Sequence, residues 1–83
     1  MKKPVRPTAR EIFANNLRRM RRMKEISQEE LANKAEMSRS YVSGVERKER
    51  NISIDNMGLL AEAVGALLKD LLDPDLFSSL DAR

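Results

Sequence analysis

The chain has 83 residues, 16 Lys+Arg against 13 Asp+Glu, and no Cys, His or Trp. That length suits one small domain, which buries only ~60% of its unfolded surface and often gains stability by self-association. Without Cys or His, zinc fingers, iron–sulfur clusters, disulfide scaffolds and Cys/His catalysis are excluded, and no apolar run approaches the ~18 residues of a membrane span.

The net charge of +3 hides an asymmetry. Residues 1–24 carry nine basic side chains and one acidic, residues 25–50 five and six, and residues 51–83 two and six. A basic head and an acidic tail fit a polyanionic partner, and fit equally a solvated helix face with a frayed basic arm. The start, Met1-Lys2-Lys3-Pro4, lacks the apolar stretch of a secretion signal, so the expected compartment is the cytoplasm.

Residues 1–8, with two prolines among them, are expected to form a flexible basic arm. Thr8 and Glu11 make a capping box that starts a helix at Ala9. Ala9, Ile12, Phe13, Leu17, Met20 and Met23 recur at spacings of three and four, one helical stripe. Arg18, Arg19 and Arg22 cover other faces as a solvated patch that adds long-range attraction. Ser27 and Glu30 form a second capping box, followed by inward Leu31, Ala32 and Ala35. Ser38 caps a third helix running to about Arg47, with Val42 and Val45 inward.

A polar stretch from Arg47 to Asn51 leads to Ser53, the next N-cap. The fourth helix carries Ile54, Met57, Leu60, Ala61 and Val64 at helical spacing, and Gly65 ends it in a left-handed C′ position. Leu67, Leu68, Leu71 and Leu72 mark a short fifth helix, stopped by Asp73-Pro74. Residues 74–83 form a tail that still holds Leu76, Phe77 and Leu80. No segment alternates with period two, so no strand is expected. The expected fold is all-α, a compact five-helix domain over residues 9–73.

Residues 27–46 put two short helices about three residues apart. The second has a polar face of Arg39, Ser40 and Ser43 opposite an apolar one. Such a helix can enter a DNA major groove, where Arg pairs bidentately with guanine and Ser reaches several base edges. Ser27 and Gln28 stand at a helix N-terminus, where backbone N–H groups favour a phosphate. Gln28-Glu29-Glu30-Leu31-Ala32, Ala35, Met37-Ser38 and Val42-Ser43-Gly44-Val45-Glu46-Arg47 resemble the helix-turn-helix of the Cro/phage-repressor (XRE-like) family of bacterial DNA-binding proteins. The resemblance runs from about Ile12 to Leu72. The stretch Arg39 to Arg47, followed by Arg50-Asn51, is similar to the controller proteins of restriction–modification systems.

The resemblance implies a lambda-repressor-like DNA-binding domain and assigns roles to matching positions. Arg39, Ser40 and Ser43 would contact bases. Gln28, Asn33, Tyr41, Arg47, Arg50 and Asn51 would hold phosphates. Arg21 and Glu46 match a pair that bridges the first and third helices, so Arg21 would be structural. The family usually has Gly where this chain has Glu36, and a left-handed Glu36 would cost about 1–2 kcal/mol. Leu67 stands where Ser or Thr often caps the fifth helix, and Gly58 weakens the fourth by about 1 kcal/mol relative to Ala.

Leu60, Val64, Leu67, Leu68, Leu71, Leu72, Leu76 and Phe77 exceed what the end of one small core needs. An apolar patch of this kind marks an interface. Leu67, Leu68, Leu71, Leu72, Leu76 and Phe77 are therefore expected to join two copies about a two-fold axis, setting the recognition helices one DNA turn, ~34 Å, apart. The expected partners are operator DNA and a second copy, with no membrane, small-molecule substrate, metal or cofactor. Ser38 and Ser53 are caps, with no base nearby to activate them, so no enzyme is expected. Two other roles for the same fold are the antitoxin of a toxin–antitoxin pair and a protein-interaction module that does not bind DNA. The short tail disfavours the first, and the polar Arg39-Ser40-Ser43 face disfavours the second.

Overall fold

In the computed structural model, which describes residues 7–78, the chain folds into α1 (Ala9–Met23), α2 (Gln28–Ala35), α3 (Arg39–Glu46), α4 (Ile54–Val64) and α5 (Leu68–Leu71). Among the described residues there is no strand, and no helix is long and apolar enough to cross a membrane. The basic arm up to Arg6 and the tail beyond Ser78, Leu80 included, lie outside the described residues.

Each of the first four helices starts on a hydroxyl. The Thr8 and Ser27 side chains accept from the N–H groups of Glu11 and Glu30 at 3.2 and 3.0 Å, and those glutamates reach back to the cap N–H groups at 2.8 and 2.9 Å. The backbone hydrogen bonds from Thr8 and Ser27 hold the Glu11 and Glu30 carboxyls below the ordinary glutamate value. Ser38 and Ser53 accept from Tyr41 and Asn56 at 3.0 and 3.1 Å. Leu67 offers α5 no side-chain cap, which fits the brevity of that helix.

The helices also end alike. The residues beyond α1, α2, α3 and α4 that take a left-handed conformation are Glu25, Glu36, Lys48 and Gly65. The next N–H turns back five residues, from Ile26 to Arg21, Met37 to Ala32, Glu49 to Gly44 and Ala66 to Ala61, at 2.9–3.1 Å. These are Schellman closures. Only the last has the glycine that makes the conformation inexpensive. Glu36, at φ 58° and ψ 44°, therefore keeps the turn geometry that glycine usually supplies. Relief of the left-handed strain outweighs the flexibility glycine adds to the unfolded chain. Glu36→Gly should stabilise the domain by a net ~0.5–1 kcal/mol in urea unfolding, and lost stability would contradict a strained turn.

The core gathers Phe13 and Leu17 from α1, Leu31 from α2, Val42 and Val45 from α3, Leu60 and Val64 from α4 and Leu71 from α5. α2 packs on α3 and α4, while α1 packs across α3, α4 and α5. The buried Asn16 side chain donates to the carbonyls of Leu71 and Asp73, both at 2.9 Å, and so fastens α5 to α1. Three stripe positions are exposed, Ala9, Met23 and Ile54. Met23 is 58% exposed and Ile54 71%. Each sits at a helix end, where the periodic stripe overruns the neighbouring elements.

Candidate nucleic-acid interface

The α2–turn–α3 unit is fixed from inside. Met37, half-buried against the core, follows the left-handed Glu36, and Ser38 then starts α3. Val42, Gly44 and Val45 face inward. Arg39 and Ser40, on the outer side of the first turn, are exposed and have no side-chain partner among the described residues.

Glu46, at the end of α3, accepts from Arg21 Nε at 2.7 Å, Arg21 Nη2 at 3.0 Å and Gln28 Nε2 at 3.0 Å. Arg21 Nη1 also donates to the Ile26 carbonyl at 2.8 Å. The Arg21 and Glu46 side chains are 10% and 2% exposed. One buried, hydrogen-bonded ion pair thus joins α1, the start of α2 and the end of α3. This sets the orientation of α3, a more secure role for a buried pair than added stability. Gln28 spends its side-chain N–H here, while its place at the head of α2 keeps backbone N–H groups available to an anion.

A second group lies beside α3. The Arg50 guanidinium stands over the Tyr41 ring, 5.4 Å from its centroid. Its stem crosses buried Gly44, where a Cβ would meet Arg50 Nε at 3.1 Å and Cγ at 3.2 Å. The Tyr41 hydroxyl accepts from Asn56 Nδ2 at 3.1 Å. Ser43 is half-buried, and its hydroxyl already accepts from Arg47. Arg47 also pairs with Glu49 at 3.1 Å, and that bond raises the arginine pKa and lowers the glutamate's. Asn51 accepts from Arg10, which ties the loop after α3 to the start of α1.

The expected contact residues therefore form two sets. Arg39, Ser40, Ser43, Tyr41, Arg47, Arg50 and Asn51 lie on or shortly after α3, with Gln28 joined to its end through Glu46. Asn33 is exposed but stands five residues beyond Gln28, turned about 140° around the α2 axis. Arg10 and Asn56 join this region without any local signal in the sequence. Neither belongs to the helix-turn-helix segment, and their contacts span 41 and 15 residues of chain. Lys48, exposed between Arg47 and Arg50, adds a further positive charge to this edge.

The expected dimer residues also divide. Leu71 is fully buried and Phe77 only 8% exposed, so both belong to the monomer interior. Arg19 covers the Phe77 ring at 4.9 Å. They appeared as surplus because the C-terminal segment folds back on α1, which absorbs them. Leu67 is 61% exposed, and Leu68, Leu72 and Leu76 are partly buried against the core.

The helix-turn-helix family pattern matches residues 17–70. Control protein C.BamHI of Bacillus amyloliquefaciens is 42% identical over 63 residues, 75% of this chain and 78% of that protein. The crystal structure of the hypothetical transcription factor NHTF from Neisseria is similar with a TM-score of 0.79 at 37% identity, covering 99% of this chain and 98% of that one. The restriction-modification controller protein C.Esp1396I, solved as a tetramer with its natural 35 base-pair operator, is similar at 26% identity and a TM-score of 0.70, covering 93% of this chain and 95% of that one. The chain belongs to the helix-turn-helix family.

Proposed function

We propose that the chain is a homodimeric, sequence-specific DNA-binding regulator of transcription, of the restriction–modification controller type. It is a binding protein rather than an enzyme, and it works in the cytoplasm on operator DNA. The observation that carries this reading is the unpartnered, exposed Arg39-Ser40 end of α3, on a helix whose other face is held by the core and by Glu46. A helix presented in this way fits the major groove, with Arg39 and Ser40 at base edges and Ser43 behind them. Arg47, Arg50, Asn51, Tyr41 and the head of α2 at Gln28 would flank it on phosphates, with Asn33 at the margin. Solved with its operator, the related C.Esp1396I supports the same partner here. Exposed Leu67, with Leu68, Leu72 and Leu76 beside it, is the proposed seam between two copies.

Binding to a duplex selected from a random pool should weaken steeply with salt. Arg47 and Arg50 of both copies each neutralise a phosphate, which predicts a log–log slope of about −3.6 or steeper. A slope near zero in an anisotropy titration would overturn the proposal.

A further inference from the structure

We propose that Asn56, in α4 and outside the helix-turn-helix, is a positioning residue that aims Tyr41 and, through it, Arg50 at DNA. The inference rests on the DNA-binding reading and extends it to a residue that touches no nucleotide.

The caps supply the first observation. Glu11 and Glu30 occupy the third position of α1 and α2, and each turns back to bond its own cap. Asn56 occupies the same position in α4, yet its side chain reaches across to the Tyr41 hydroxyl at 3.1 Å. The helix start is left to Ser53 alone. The Asn56 amide thus makes no capping box and is used for a contact 15 residues away.

The second observation is what this contact orients. A hydroxyl that accepts from an amide N–H keeps its own proton for another acceptor. With Asn56 on one side, the Tyr41 O–H is directed to the other, available to a phosphate oxygen. The half-buried ring is also the surface on which Arg50 rests, 5.4 Å from guanidinium to centroid. Gly44 completes the seat, since a methyl group there would press on Arg50 Nε and Cγ. Asn56, Tyr41 and Gly44 together restrict a long side chain that would otherwise lose more rotamer freedom on binding.

The test uses the full chain and a duplex that it has selected from a random pool. Asn56→Ala and Tyr41→Phe should each weaken binding roughly two- to tenfold. The double variant should bind like either single one, and Asn56→Ala should have a smaller effect in an Arg50→Ala background, where only the Tyr41 hydroxyl is left to aim, and none in an Arg50→Ala, Tyr41→Phe background. The chain holds one tyrosine and no tryptophan, so the near-ultraviolet tyrosine dichroism should change in Asn56→Ala while the helical signal stays. Gly44→Ala should weaken the same duplex with the helical signal retained. Wild-type affinity in Asn56→Ala, or effects of Asn56→Ala and Tyr41→Phe that multiply, would overturn the inference and leave the DNA-binding reading standing. Absence of DNA binding by the unaltered chain would overturn both.

Discussion

Glu46→Ala should destabilise the domain by about 3–5 kcal/mol, the cost of removing one partner from a buried ion pair. The carboxylate accepts three hydrogen bonds, two from Arg21 and one from Gln28, in a site where its side chain is 2% exposed. Without it Arg21 keeps its bond to the Ile26 carbonyl, but its Nε and Nη2 protons and the Gln28 amide lose their acceptor. Total stabilities of about 5–15 kcal/mol make this a large fraction. At ~4–8 °C per kcal/mol, the thermal midpoint should fall by roughly 12–40 °C. Arg21→Met combined with Glu46→Leu should recover most of the loss, because the penalty comes from an unpaired charge. A single variant that melts within a few degrees of wild type would refute the anchoring role of the pair.

The second large effect separates the core from the proposed dimer seam. Leu71 is fully buried, and Asn16 holds its carbonyl at 2.9 Å. Truncating a leucine in such a site costs about 2–5 kcal/mol, and a carboxylate adds the expense of its own desolvation. Leu71→Asp should therefore undock α5 from α1 and lower the thermal midpoint, whatever the oligomeric state. Leu67→Asp acts on an exposed side chain. It should leave the monomer fold intact and shift sedimentation from dimer to monomer. A Leu67→Asp protein that remains dimeric would place the seam elsewhere.

These two leucines also show where sequence reasoning reached its limit. Helix starts were legible because capping is local: Thr8, Ser27, Ser38 and Ser53 each act within three residues. The apolar spacing likewise marked most of the core. Helix ends were less legible, because Glu25 and Lys48 close α1 and α3 without the glycine that marks the end of α4. The Ile26 and Glu49 N–H groups close these turns through the backbone, and no residue type announces them. Leu67 and Leu71 are the same residue type in opposite environments, a difference made by the packing of α5 on α1 and α4, where Asn16, 55 residues away, holds the Leu71 carbonyl. In the candidate site, Arg39 and Ser40 stood out through helical position and resemblance. The Arg21–Glu46 pairing was suggested by resemblance alone. The roles of Asn56 and Arg10 depend on contacts across the fold that have no local pattern.

The most direct test of the central claim compares wild type and Arg39→Ala on two DNAs, the duplex selected by the wild-type protein and a random duplex of equal length. If Arg39 reads a base edge, its loss should reduce the preference for the selected duplex by about 5- to 150-fold, with little change on random DNA. An equal loss on both would make Arg39 a phosphate contact and contradict the assignment of base recognition to the exposed end of α3.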